Sequence, residues 1–364
     1  RKRIQIKNNM ATSSPFESMH RLPENFPKTQ CVALARELLI FGGRRQVNCY
    51  SYHIRGNQYR FLSSFPSNYT TWGYCVVKIP KANDQKDTTL WIFGGYDGKV
   101  SIIKYASVWK KKAGIQWLSQ VNSTNTKPIY IQCNQRDYCG VRAVVGGRNN
   151  NLLFVTYSKS IDVFNMSTCK YVSKFSLPIV DTLNYHCLVL KTAMPSTAAA
   201  ERLQKKIKTE MLLFCQKTGL SIDYDEYQNK FDVANVHMCS TMRTLSHYAF
   251  LCTSGMVLFF GGIDGLRLSS ANVHKYMIEE NKWVMCTLAL PHSLADCAAV
   301  VCGGHENVHV MGGLTHIKAE LKYWMKCDTQ NEKLWITEEQ GLREMEEVNR
   351  EMSAMPNVDI NNLK

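Results

Sequence analysis

The stretches Leu39-Ile40-Phe41-Gly42-Gly43 and Trp91-Ile92-Phe93-Gly94-Gly95 decide how this chain folds. Each is a short apolar run closed by two glycines. Phe259-Phe260-Gly261-Gly262 and Val310-Met311-Gly312-Gly313 repeat the phrase. The first two lie 52 residues apart and the last two 51. A short apolar run ending in glycines reads as a strand that stops at a turn. A fixed period near this length marks a repeat architecture.

Working outward, each phrase is followed by two aromatics. Tyr52 and Tyr59, Phe164 and Tyr171, Tyr224 and Phe231, and Tyr276 and Trp283 are all 7 apart. Tyr105 and Trp117, and Tyr323 and Trp335, are 12 apart, as a longer turn would give. Asn57, Asn229 and Asn281 share one turn position, and Asn tolerates the left-handed conformation a hairpin needs. These pairs expose two degenerate repeats, where Leu152–Tyr157 and Met211–Gln216 occupy the second-strand place without glycines. The repeat aromatics then fall at 52, 105, 164, 224, 276 and 323, which makes six repeats.

Each repeat reads as four short strands. The first strands are expected near Cys31–Ala35, Tyr74–Ile79, Tyr138–Val145, Tyr185–Lys191, His247–Thr253 and Asp296–Val301. The pattern predicts an all-β, six-bladed propeller with four antiparallel strands per blade. The glycine pairs allow close backbone approach or positive φ, and the aromatics fill the space between blades.

This combination resembles the kelch repeat over about residues 27–337. Repeats three and four depart from it by lacking the glycine pair. The resemblance implies a kelch-type propeller, a fold that commonly serves as an adaptor or cytoskeletal binder and sometimes as an enzyme. The expected organisation is a flexible segment at 1–26, the propeller at 27–337, and an acidic, helical tail at 338–364. Each blade reads as complete in itself, with strand exchange between the first and last blades left as an open alternative. Leu342, Met345, Val348, Met352 and Met355 lie near helical spacing in that tail. An Ala-rich basic insertion, Ala193–Lys208, interrupts repeat four, and Ser119–Asp137 is a long polar connection.

Composition narrows the function classes. The chain has 364 residues, 45% hydrophobic, with 44 Lys and Arg against 30 Asp and Glu, a net charge of +14. It is neither a disordered polymer nor, lacking any long apolar run, a membrane-spanning helical protein. No apolar core follows Arg1-Lys2-Arg3, so a cytoplasmic location is expected, with Met10 as a candidate start. The 14 cysteines are dispersed and read as reduced thiols, and the sequons at Asn68, Asn122 and Asn165 as chance matches.

Two constellations stand out. Cys31, Cys75, Cys139, Cys187 and Cys297 fall near equivalent first-strand places, suggesting thiols around the central channel. Metal or redox chemistry is the sharp reading and small-residue packing the bland one. Gln30, Tyr74, Tyr138, His186, Tyr248 and Asp296 are placed at one end of the channel. Second, every repeat sets a base between its second and third strands: Arg44 and Arg45, Lys99, Lys159, Lys217, Arg267, and Lys318 with His316. They form the expected binding site, a positive crown suited to acidic groups. No catalytic, nucleotide-binding or metal motif is present, and no cofactor is expected. The expected function is therefore a non-enzymatic scaffold for a protein or acidic peptide. Nucleic-acid binding through the basic face is one alternative. An enzyme in the channel is another, and it requires His186, Asp296, Tyr74, Tyr138 and Tyr248 to converge.

Overall fold

The computed structural model describes residues 15–354, apart from 68, 70, 81–86, 96–98, 111–113, 119–120, 123–124, 129–137, 192–207, 303, 305 and 327–328. Asn68, Met10 and the insertion up to residue 207 lie outside the described residues. Six four-stranded antiparallel sheets form six blades of a β-propeller. Blade one comprises Gln30–Ala33, Glu37–Phe41, Asn48–His53 and Gln58–Ser64. Blade two comprises Tyr74–Lys78, Thr88–Gly94, Lys99–Ala106 and Gly114–Leu118. Blade three comprises Arg142–Gly146, Leu152–Tyr157, Ser160–Asn165 and Lys170–Ser176. Blade four comprises Cys187–Leu190, Lys208–Cys215, Thr218–Asp225 and Lys230–Asn235. Blade five comprises Ala249–Thr253, Met256–Phe260, Val273–Met277 and Lys282–Cys286.

Blade six closes the ring. Its first three strands are Ala298–Cys302, Asn307–Gly312 and Thr315–Glu320. Its outer strand is Glu17–Ser18, brought from the start of the chain. Met19, Leu22 and Phe26 continue the seam by donating backbone hydrogen bonds to His316, Leu314 and Gly313. Leu22 and Phe26 are buried. Residues 15–26 are thus part of the propeller, not a flexible lead. Tyr323 sits in a 3-10 turn, Leu321–Trp324, and Trp335 in the helix Gln330–Ala354, so they are not a hairpin pair.

The four aromatic pairs spaced by seven are all cross-strand partners. Asn57, Asn229 and Asn281 take φ of 47°, 51° and 49° at the turn. In each case the tyrosine hydroxyl donates to the Asn side-chain oxygen, at 2.9, 2.8 and 2.8 Å. One residue type therefore supplies both the left-handed backbone and the acceptor. Tyr105 instead faces Ile115, and Trp117 faces Ile103.

Six hydrophobic clusters fill the six interblade spaces. The glycine pairs admit the neighbouring backbone: a Cβ at Gly43 would lie 1.9 Å from the Pro27 carbonyl oxygen. At Gly261, with φ of 64°, a Cβ would lie 2.1 Å from that of Leu294. The helix Gln330–Ala354 docks on blade five and the blade four–five connection, with Trp335 packed against the four–five cluster and acidic side chains bonding beside it. Glu339 accepts from Ser240 at 2.8 and 2.6 Å, and Arg243 forks onto Glu346. Leu342, Met345 and Val348 stay exposed.

Candidate functional site

Antiparallel order puts the second-to-third-strand loops and the blade-to-blade connections on one face. Arg44, Arg45, Lys159, Lys217 and Arg267 occupy those loops with exposed side chains. Lys99 opens the third strand of blade two at the loop edge, paired in register with Gly94. Lys318 is not on this face. It lies within the third strand of blade six, opposite His309, and pairs with Glu17 at 2.5 Å. His316 is buried in the same strand. The tight Gly313-Leu314 turn leaves both in the sheet, where the expected longer loop would have freed them.

The same face carries exposed apolar side chains: Val47, Trp72, Val180, Leu266, Leu268 and Leu314. Val180 and Leu266 are 87% and 81% exposed, far beyond what packing explains. The Arg44 guanidinium lies 4.8 Å from the centre of the Trp72 ring.

At the centre of this face is the channel mouth. Gln30, Cys75, Cys187, Ala249 and Ala298 hold one register position, opposite Phe41, Phe93, Phe214, Phe260 and Met311 near the end of the second strand. Two residues earlier, the chain is left-handed at Lys28, Gly73, Gly140, Tyr185, His247 and Asp296. The backbone N–H groups of Lys28, Gly140, Tyr185 and Asp296 donate to the carbonyls of Asp296, Gly73, Gly140 and His247. A belt of hydrogen bonds thus links neighbouring blades, including the last to the first.

Side chains from the belt converge. His247 Nδ1 lies 2.8 Å from Asp296 Oδ1, and Lys28 Nζ 4.0 Å from the same oxygen. Lys28 Nζ also sits 3.9 Å over the Tyr185 ring, which packs on His247 with centroids 5.0 Å apart. Arg142 reaches in from blade three, 5.9 Å from the Tyr185 ring, and donates to its neighbour Val141 at 3.0 Å. Burial, and secondarily the positive charges of Arg44 and Arg142, lower the Lys28 pKa, while Asp296 opposes this. Burial raises that of Tyr185, helped by its contact with Cys139.

Of the residues expected at the channel, only Gln30 and Asp296 line the opening beside Tyr248, whose hydroxyl points away to the Phe214 carbonyl at 2.9 Å. Tyr74 turns to the Gly42 carbonyl, Tyr138 packs on Tyr157, and His186 bonds Thr156 at 2.6 Å in the core. The five that an enzyme reading required do not meet. Tyr74, His186 and Tyr248 lie one residue beyond the left-handed position, so they point between blades. Lys28, Tyr185, His247 and Arg142 were missed; the glycines at 73 and 140 were the available signal.

The cysteines also occupy different positions along their strands. Cys75 and Cys187 pack in the cores between blades two and three and between four and five. Cys31 and Cys297 pack toward the six–one and five–six spaces, and Cys139 contacts the Tyr185 hydroxyl. They do not ring the channel. Burial pushes the Cys31 and Cys297 thiols up to about 12, which keeps them protonated. Among the described residues, no group of three or more His, Cys, Asp or Glu side chains is placed to hold a metal.

No protein-family model and no curated protein matches the sequence. Among solved structures the chain is similar to that of YjhT, at 13% identity and a TM-score of 0.55, over 83% of this chain and 95% of that one. The likeness is one of fold. No helix among the described residues is long and apolar enough to cross a membrane.

Proposed function

We propose that this chain is a kelch-type propeller acting as a non-enzymatic scaffold, which docks a protein or peptide bearing acidic groups on its loop face. One observation carries the reading. Val47, Trp72, Val180, Leu266, Leu268 and Leu314 are exposed on the face that also presents Arg44, Arg45, Lys159, Lys217 and Arg267. Apolar anchors ringed by cations are the composition of a protein-docking patch. Nucleic-acid binding calls for charge along a groove, and exposed aliphatic side chains do not favour it. The twelve described cysteines are free thiols, which supports a reducing, cytoplasmic setting.

The test is a displayed library of acidic and neutral peptides, selected against the protein and against a variant with Arg44, Arg45, Lys159, Lys217 and Arg267 changed to Glu. Acidic peptides with apolar flanks should be selected by the first and lost by the second. Selection of the same peptides by both proteins refutes the reading.

A further inference from the structure

The propeller demands a left-handed residue at one place in every blade, at the entrance to the first strand. Blades two and three meet the demand with glycine, at Gly73 and Gly140. The other four use Lys28, Tyr185, His247 and Asp296, with φ of 61°, 50°, 55° and 55°. A non-glycine residue in that conformation carries backbone strain. Glycine would remove the strain at each, as it does in two blades. The side chains of these four residues are the ones that meet over the channel, together with Arg142.

Their charges do not balance. Lys28 and Arg142 are two cations in the mouth of one channel, and Asp296 is the acid that faces them. Asp296 Oδ1 lies 2.8 Å from His247 Nδ1 and 4.0 Å from Lys28 Nζ, so one carboxylate faces both side chains. Arg142 has no acidic partner among the described residues and uses one backbone carbonyl as acceptor. A confined guanidinium with unused donors is best satisfied by a planar oxyanion. The mouth has about 20 Å³ of free space within about 260 Å³ of volume open to solvent, so it admits the end of a small group and not an extended substrate.

We propose that the channel mouth binds a carboxylate group, its oxygens taken by Arg142 and Lys28 against the Tyr185–His247 wall. The carboxylate belongs either to a small free acid or to the tip of an acidic side chain. The site does not depend on the loop-face reading, because none of the five loop cations lines it and only Arg44 reaches it, through its charge on Lys28.

Calorimetric titration of the whole protein with acetate, inorganic phosphate and a Glu-containing peptide, at constant ionic strength in chloride, tests the proposal. Saturable binding of acetate or peptide is expected, with phosphate weaker. Lys28→Gly should weaken that binding about tenfold or more, the worth of a charge-assisted hydrogen bond. The same variant should keep or raise the thermal midpoint, since the strain is relieved; a merely structural Lys28 would not give that combination. Arg142→Gln should weaken binding as much. Asp296→Asn, which keeps a residue tolerant of positive φ and removes the competing charge, should tighten it. A loop variant that spares Arg44, with Arg45, Lys159, Lys217 and Arg267 changed to Glu, should bind acetate as the parent does. Peptide binding sensitive to Lys28, without acetate binding, assigns the carboxylate to a partner side chain. Three outcomes overturn the proposal: no saturable binding of either carboxylate, binding indifferent to Lys28 and Arg142, or phosphate binding as tight as acetate.

Discussion

Acid should destabilise this propeller, and the size of the effect follows from two buried histidines, His309 at the closure seam and His274 in blade five. His309 and His316 lie in neighbouring strands of blade six, His309 Nδ1 2.7 Å from His316 Nε2. His316 Nδ1 is 2.5 Å from the Tyr59 hydroxyl of blade one, which donates to the His20 carbonyl of the closing segment at 3.0 Å. Because that carbonyl only accepts, the order of donors is fixed: His309 to His316, His316 to Tyr59, Tyr59 to His20. A second proton on His316 would face the His309 N–H, and one on His309 would sit on a buried Nε2 that has no acceptor among the described residues. Burial, with the nearby Lys318 and against Glu17, lowers the His309 pKa from 6.5 to about 4. Burial, against Glu339, lowers that of His274 in blade five likewise to about 4. Both are neutral in the folded protein, while the unfolded chain protonates both below about pH 6.5. Stability is therefore full above that pH and falls as pH drops toward 4, by about 3 kcal/mol for each histidine. Their sum rivals the total stability of an ordinary domain, about 5–15 kcal/mol. Guanidinium midpoints read by tryptophan fluorescence from about pH 7.5 down to about pH 4.5 should fall steeply. His309→Gln keeps a donor toward His316 and removes the titration, so its decline should be shallower by about 3 kcal/mol. A wild-type midpoint that stays flat across that range, or an equal slope in the variant, refutes the reasoning.

Other perturbations have equally definite outcomes. Phe26→Ala empties a fully buried place at the closure seam and should cost about 3–5 kcal/mol, read as a lowered denaturant midpoint. Asn281→Ala removes the acceptor of Tyr276 and a residue suited to positive φ, and should cost about 1–3 kcal/mol. Asn281→Gly should recover only the backbone share. Gly261→Ala sets a Cβ 2.1 Å from the Leu294 carbonyl oxygen and should abolish soluble expression, whereas Gly265→Ala, with nothing within 4 Å, should be silent. Deleting the helix from residue 330 onward should leave the propeller folded but destabilised, since it removes Trp335 from the blade four–five core and leaves the Arg243 guanidinium without Glu346.

The architecture was legible because its devices are periodic. The glycine pairs, the aromatics seven apart and the turn Asn each recur several times, so a few degenerate copies did not hide the period. Closure was not legible. Glu17–Ser18 is two residues long and too short to carry a strand pattern, and its place is set by His316 and Leu314 far along the chain. Trp335 was drawn into a false sixth hairpin because its distance from Tyr323 equals that of Trp117 from Tyr105. The latter two do share adjacent strands, but in a different register. At the channel the error was a single residue. Tyr74, His186 and Tyr248 are the buried neighbours of Gly73, Tyr185 and His247, and in extended backbone one step reverses the direction of a side chain. The loop cations were readable as loop residues except Lys318, because the turn before it is too tight to release it. The apolar companions, Val47 through Leu314, were invisible as a group. Only the ring brings them onto one face.

The most direct measurement is affinity capture of the protein's partners from source-cell extract, with and without nuclease. Parent protein and the five-site loop variant should run side by side, with mass spectrometry of what each retains. Nuclease-resistant proteins with acidic segments should be retained by the parent and lost from the variant. Equal capture by both, or capture abolished by nuclease, contradicts it.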